Sequence, residues 1–448
     1  MAIVPFAHQK LTPPKILSLG FMVLIAAGTI LLCLPAASTG ARISFIDALF
    51  MATSATCVTG LAVIDTGTQL TVFGQIVLLV LFQFGGLGFV TMATLITLVL
   101  NKRISLKERL LLQESMNQNS MQGIVRLIQR VLIYSLVIQL SGATLLAARF
   151  TVDMSFGKAV YSGLFHIISL FKHAGFDLFG DIHGPCSGLT RYAEDPIVNI
   201  TSMLLIFLGG IGFIVLSDLI DYPKRKRLTL HSKVVLSASA VLILGGAAVF
   251  FWLELNATLK PLHAGGKVMA SFLQAITPRS GGVTTIEIPL LRESTQFLMI
   301  LLMFIGAAPG STGGGIKITT FAILVVTAYT KIRGKEDIVM FRHRISKENV
   351  YRAITMTLLS LMLVVSATML LSVTESADFL TVLFEAVSAF GTSGITMGLT
   401  PNLTTIGKVL VIILMFVGRT GPLTLAYALK PKNSKELYRY PEGNITIG

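Results

Sequence analysis

The sequence predicts an all-α integral membrane protein of four repeats. Each repeat is an outer helix, a re-entrant pore helix, a filter and an inner helix, set around one pseudo-fourfold pore with eight membrane-spanning helices. Three observations predict it: a composition suited to lipid, eight long apolar stretches alternating with four short ones, and a glycine register that recurs four times.

Composition comes first. Of 448 residues, 53% are hydrophobic and 13% charged, with a mean hydropathy of +0.78. Soluble domains carry about a quarter charged residues, so the main solvent here is lipid. The net charge of +14 does not mark a nucleic-acid binder. Its basic residues collect in short segments between apolar stretches rather than along one face. Cys33, Cys57 and Cys186 form neither a disulfide framework nor a metal-ligand spacing. The segment MAIVPFAHQKLTPPK has no small-residue cleavage site after the first apolar run, so 16–34 reads as a retained helix.

A bilayer core needs about 20 apolar residues per helix. Stretches near 16–34, 70–100, 124–148, 197–220, 233–255, 296–328, 350–373 and 405–429 qualify. Four half-apolar segments near 45–56, 157–171, 267–277 and 378–390 are too short to span, and Gly, Ser and Thr follow each. They read as re-entrant helices, which membranes tolerate only where protein or a water-filled cavity covers the backbone. Segments 1–15, 101–130, 221–233, 331–352 and 430–448, with neighbouring Asp218, hold 24 Lys and Arg against 9 Asp and Glu. The opposite side holds 10 against 13, so the termini and basic loops are expected in the cytoplasm, with the short helices entering from outside.

The repeat appears when the short segments are aligned on Gly60, Gly175, Gly282 and Gly394. Phe50, Phe165, Phe272 and Phe384 stand ten residues earlier, and Ser54, Ser169 and Ser388 six earlier in three of the four. The next helices align on Gly85, Gly209, Gly306 and Gly418, and the repeat period is 115, 107 and 112 residues. Both registers recurring together across four units set the repeats at 1–110, 111–225, 226–340 and 341–448.

A desolvated cation needs several oxygens at once, and backbone carbonyls from four converging strands supply them. Glycine allows dihedrals that point carbonyls inward, while each short helix aims its partially negative C-terminus at the axis. The expected filter is therefore Cys57, Val58, Thr59 and Gly60; Lys172, His173, Ala174 and Gly175; Arg279, Ser280, Gly281 and Gly282; and Gly391, Thr392, Ser393 and Gly394, acting through their carbonyls. Lys172 and Arg279 sit awkwardly beside a cation. Either their side chains project away to acids such as Asp177 or Glu287, or one of them lowers cation occupancy. His166, His173 and His183 are spaced by seven and ten residues, which suits no helical metal pair. No buried catalytic constellation marks an enzyme.

Two features single out a gate. The stretch Gly306, Pro309, Gly310, Ser311, Thr312, Gly313, Gly314, Gly315 to Lys317 interrupts an otherwise apolar helix. It nearly spells a phosphate loop, but Ile316 separates Gly315 from Lys317 and no strand precedes it. It reads instead as an irregular loop at mid-membrane depth. Arg419 lies within the last apolar stretch, where insertion costs on the order of 3 kcal/mol, so it should face the pore or a partner. A fixed barrier charge and an anchor to the loop's carbonyls are equally sound physically.

The four hairpins with their glycines, together with TPRSGGV, FGTSGITMGLTP and FVGRTGPLT, resemble the Trk/Ktr/HKT superfamily of K⁺ transporters. YRYPEGNITIG is similar to the Ktr-type membrane subunit, and the resemblance runs essentially end to end. It implies K⁺ as the transported ion, no organic cofactor in this chain, a homodimer, a bacterial plasma-membrane location and a cytosolic ring of nucleotide-binding RCK/KTN-type regulatory subunits. It implies that the 306–317 loop blocks the pore beneath the filter, and that a serine in place of Gly60 would favour Na⁺. Relatives often carry Asn-Asn-Ala-Gly at the second filter, where this chain has Lys-His-Ala-Gly. The ring would dock on 101–130, 222–233, 331–347 and the tail from Lys430, basic segments that anionic lipid headgroups also attract. The residues leave open whether transport is channel-like, less selective (Na⁺/K⁺) or ion-coupled.

Overall fold

The computed structural model describes residues 13–88, 124–184, 188–422 and 441. Most of it is helical, in fourteen helices of twelve residues or more and one four-residue helix, Gly180–His183. In chain order the helices are α1 (Pro13–Leu32), α2 (Phe45–Cys57), α3 (Val72–Leu87), α4 (Ile124–Phe150), α5 (Phe156–Lys172), α6 (Pro196–Gly210) and α7 (Phe213–Arg225). There follow α8 (Leu230–Glu254), α9 (Ala264–Ile276), α10 (Glu293–Phe304), α11 (Ile318–Ile332), α12 (Lys347–Thr374), α13 (Phe379–Gly391) and α14 (Thr405–Thr420). A two-residue antiparallel pair, Val339–Met340 with His343–Arg344, precedes α12.

Local chemistry sets the starts. Ser44, Thr71, Thr229, Ser346 and Thr404 each turn a side-chain oxygen onto a free amide of the first turn of α2, α3, α8, α12 and α14. Asp195 caps α6, with Pro196 at its first position. Among the described residues, four helical stretches are long and apolar enough to cross a bilayer: Lys15–Leu32, Ile128–Phe150, Leu230–Glu254 and Lys347–Thr374. They carry large apolar side chains outward, Val241, Trp252 and Val373 each more than two-thirds exposed, which suits a lipid-facing surface.

Of the apolar stretches following the short helices, the second departs from the expected continuous span and the third is interrupted as expected. The one expected at 197–220 is two helices, α6 and α7, bent by 102°. Gly212, at φ +87°, turns the corner, and only a residue without Cβ adopts that backbone cheaply. The stretch at 296–328 is divided into α10 and α11 by the 306–317 segment. Residues 89–100 and 423–429 of two other stretches, and the basic segments 101–123 and 430–440, lie outside the described residues.

The four short helices lie inside this shell. They pack into apolar clusters in which Phe50, Phe165 and Phe384 are fully buried. Phe272, the fourth in register, is only partly buried.

Candidate functional site

Each short helix delivers a hairpin with one backbone signature. Val58, His173, Ser280 and Thr392, two before each aligned glycine, have φ of 57°, 64°, 72° and 47°. Gly60, Gly175, Gly282 and Gly394 themselves lie at 93°, 71°, 71° and 79°, whereas Thr59, Ala174, Gly281 and Ser393 between them do not have positive φ. Alternating the sign of φ swings successive peptide planes so that their carbonyls fall on the same side of the strand. A left-handed non-glycine residue costs of order 1 kcal/mol or more, and four at one register mark an over-determined site.

Short hydrogen bonds hold this geometry. Thr59, Ala174 and Ser393 donate their amides to Ser54, Ser169 and Ser388 carbonyls at 2.8, 2.7 and 2.9 Å. The Ser54 hydroxyl accepts from Gly60 N (3.1 Å), and the Ser169 hydroxyl donates to Phe176 O (2.8 Å). The third hairpin lacks the register serine, and Thr277 does the work one residue later. Its hydroxyl donates to Val283 O (2.6 Å) and accepts from Val283 N (3.1 Å).

The four hairpins converge. A methyl group on Gly60 would meet Ala174 O at 2.6 Å; one on Gly175 would meet the Cα atoms of Gly282 and Gly60 at 3.0 and 3.1 Å. On Gly282 it would meet Gly175 Cα at 2.5 Å, and on Gly394 it would overlap Thr59 O. The contacts run from each hairpin to the next and back to the first. All four glycines line one cavity of about 500 Å³, whose wall also includes Asp65, Asp177 and Glu287.

The side chains of these hairpins are taken up by the surrounding protein or by the neighbouring hairpin. Val58 packs in the apolar core, and His173 Nε2 lies 2.8 Å from Ile206 O. Ser280 Oγ donates to Gly391 O (2.9 Å), and Ser393 Oγ returns a bond to Pro278 O (3.0 Å), tying the third and fourth hairpins together. Lys172 and Arg279 also project away, but pairing with Asp177 or Glu287 is not what they do. Lys172 Nζ donates to Ser135 Oγ (3.0 Å) and Arg279 Nη2 to Ser239 Oγ (3.2 Å). Their stems run toward the long helices α4 and α8, away from the acids that share the cavity with the glycines.

The aligned inner-helix glycines explain themselves by contact. A Cβ on Gly85, Gly209 or Gly418 would overlap the carbonyl of Thr56, Phe171 or Phe390, four residues before the respective filter glycine. Gly306, the third in register, faces Gly314 of its own loop instead. Three residues further on, Gly88, Gly212 and Gly421 share φ near +85°; Gly88 and Gly421 close α3 and α14, and Gly212 opens α7. These second glycines were missed by the sequence reading, although GGLG, GGIG and GRTG display the spacing.

The 306–317 segment lies against these hinges. Ala308 N donates to Gly210 O (3.0 Å), Thr312 N to Gly209 O (3.3 Å) and Phe213 N to Gly310 O (3.0 Å). Backbone groups freed by the α6–α7 break are thus satisfied by the loop, as burial in a membrane requires. Gly314 N reaches the Thr392 hydroxyl (2.9 Å), and Lys317 Nζ reaches back to Gly313 O (2.7 Å). Ser311 Oγ closes a turn on Ala308 O (2.6 Å). Arg419 joins three elements: its guanidinium donates to Thr312 O of the loop, and to Gly85 O and Gly86 O of α3, the last at 3.2 Å. Arg419 thus makes the contact with a loop carbonyl that an anchor requires.

Four hairpins meeting at backbone glycines, with helices long enough to cross a bilayer, define a multi-pass membrane protein built around a convergent backbone site. The chain belongs to the TrkH family, described as cation transport proteins, whose profile matches residues 5–437. It is 43% identical over 441 residues to the Ktr system potassium uptake protein B of Bacillus subtilis, covering 98% of this chain and 97% of that one. It is 38% identical to the potassium/sodium uptake protein NtpJ of Enterococcus hirae, with 98% of each covered. Among solved structures it is similar to the potassium transporter TrkH of Vibrio parahaemolyticus, with a TM-score of 0.74 and 18% identity over 96% of this chain and 87% of that one, a likeness of fold. The family is one of transporters, not of enzymes.

Proposed function

We propose that the chain takes up K⁺ through a ring of backbone carbonyls at residues 57–60, 172–175, 279–282 and 391–394, each contributed by one of four repeats in an eight-span pore. The observation that carries this reading is the closed succession of contacts among Gly60, Gly175, Gly282 and Gly394, each glycine at positive φ. Such a ring replaces a cation's hydration shell without recruiting any charged side chain. A relative named for potassium uptake, 43% identical along nearly the whole chain, points to the same ion.

Below the ring, the 306–317 loop closes the path and Arg419 holds it there through Thr312. Release of the loop would follow motion of α11, which runs toward the basic stretch 331–347. A homodimer served by a cytosolic nucleotide-binding ring fits a relative that is named as one component of a system. The chain then sits in a bacterial plasma membrane with its basic segments in the cytoplasm. A second reading, transport of Na⁺ beside K⁺, is favoured by the relative named for both ions.

Uptake of ⁸⁶Rb⁺ into liposomes holding the full chain, with K⁺ and Na⁺ as competitors, tests the proposal. Inhibition by K⁺ well below the Na⁺ concentration needed is the expected result. Equal inhibition would support the second reading, and absence of cation flux with or without a regulatory partner would end both.

A further inference from the structure

We propose that Lys172 and Arg279 are paired buried charges that weaken ion binding at the inner end of the filter, by competing with the transported cation for the C-terminal dipoles of α5 and α9. The proposal rests on reading the hairpins as a cation filter. Both residues stand three positions before their filter glycines, Gly175 and Gly282. Lys172 is the last residue of α5, and Arg279 follows α9 by three residues.

Both heads are buried, Lys172 fully and Arg279 at 7% exposure. Each leaves the filter and ends on a serine hydroxyl of the preceding long helix, Ser135 of α4 for Lys172 and Ser239 of α8 for Arg279. The Ser135 oxygen is shared with Gln139 Nε2 at 2.6 Å, and Arg279 Nε, buried, has no acceptor. Among the described residues no carboxylate lies within salt-bridge distance of either head. A hydroxyl satisfies a donor but cancels no charge. What favours a cation at these positions is the partially negative C-terminal end of the short helix, equivalent to about half a negative charge. The same field would favour a K⁺ on the axis.

The other two hairpins have Cys57 and Gly391 at this register, so the C-termini of α2 and α13 carry no basic residue of their own there. The ring is therefore electrostatically uneven: two helix ends are partly neutralised by a basic residue of their own and two are not. A site that binds less tightly releases faster, which conduction requires.

Lys172→Met keeps the stem that packs against Gly86 while removing the charge. In saturation curves of ⁸⁶Rb⁺ uptake into liposomes, this variant of the full chain should lower the half-saturating concentration about three- to tenfold, the range a charge at a helix end produces. The Rb⁺/Na⁺ preference should stay at the parent's value. Ser135→Ala, which removes the tether and keeps the charge, should leave half-saturation unchanged. Should Lys172→Met not be recovered folded, Arg279→Met carries the same expectation. Unchanged half-saturation in the charge-removing variant overturns the proposal, as does lost ion preference, which would make the side chains mechanical struts. A parent without saturable Rb⁺ uptake would instead overturn the filter reading itself, and the proposal with it.

Discussion

Arg419→Gln is the sharpest perturbation of the proposed gate. The arginine donates to Thr312 O, Gly85 O and Gly86 O, so one side chain ties the loop to α3 from its seat on α14. A hydrogen bond from a charged donor is worth about 1.5–3 kcal/mol. Glutamine is shorter and neutral, and it cannot reach both elements. Losing about 3 kcal/mol from the held position shifts the ratio of held to released loop on the order of a hundredfold. Removing a partly buried guanidinium also relieves an insertion cost on the order of 3 kcal/mol, so the variant should still reach the membrane. The assay is ⁸⁶Rb⁺ flux in liposomes and current under voltage clamp, both without activating partner. We expect flux to rise at least tenfold, with weaker voltage dependence. A variant with the parent's rate and the parent's voltage dependence would refute the latch.

Three further outcomes follow from particular contacts. Gly60→Ser should weaken K⁺/Na⁺ discrimination in competition uptake, because its Cβ would press Ala174 O from 2.6 Å at a backbone φ of +93°; parent selectivity would show that the filter lies elsewhere. Gly209→Ala should lower the melting temperature in detergent by the equivalent of about 1–3 kcal/mol, since its Cβ overlaps Phe171 O, whereas Gly245→Ala, with open space around it, should not. Asp177 lines the same cavity as the four glycines, where burial, opposed by the Phe179 amide and reinforced by nearby Asp65, pushes its carboxyl up to about 6. A carboxyl is charged above its pKa, so the charge that draws cations inward is present at pH 7 and lost as external pH falls through about 6. Uptake should decline over that window, and Asp177→Asn should flatten the decline; an identical profile in the variant would remove Asp177 from the account.

Much of the architecture was legible because two independent registers, Phe-to-Gly within the short helices and Gly-to-Gly into the next helices, repeat in phase. Glycine is informative where a Cβ has nowhere to go, and Gly85, Gly209 and Gly418 are such places. The interruption of the third inner helix was legible for the same reason, since Pro309 and Gly313–Gly315 oppose helix. The break at Gly212 was hidden because apolar residues continue through it, and hydropathy reports burial, not direction. Thr277 was hidden by a one-residue offset from the serine register. The destinations of Lys172 and Arg279 were not legible at all. Their serines stand 37 and 40 residues away, joined by no pattern, and an oppositely charged partner was the natural but mistaken expectation.

The central claim is that a K⁺-sized ion sits among the carbonyls of the four hairpins. Anomalous diffraction from crystals of the full chain grown in Rb⁺ or Tl⁺ addresses it directly. The account predicts anomalous density on the axis between residues 57–60, 172–175, 279–282 and 391–394, lost on exchange into Na⁺. Transport-competent protein with no density there, or with density held by side chains elsewhere, would contradict it.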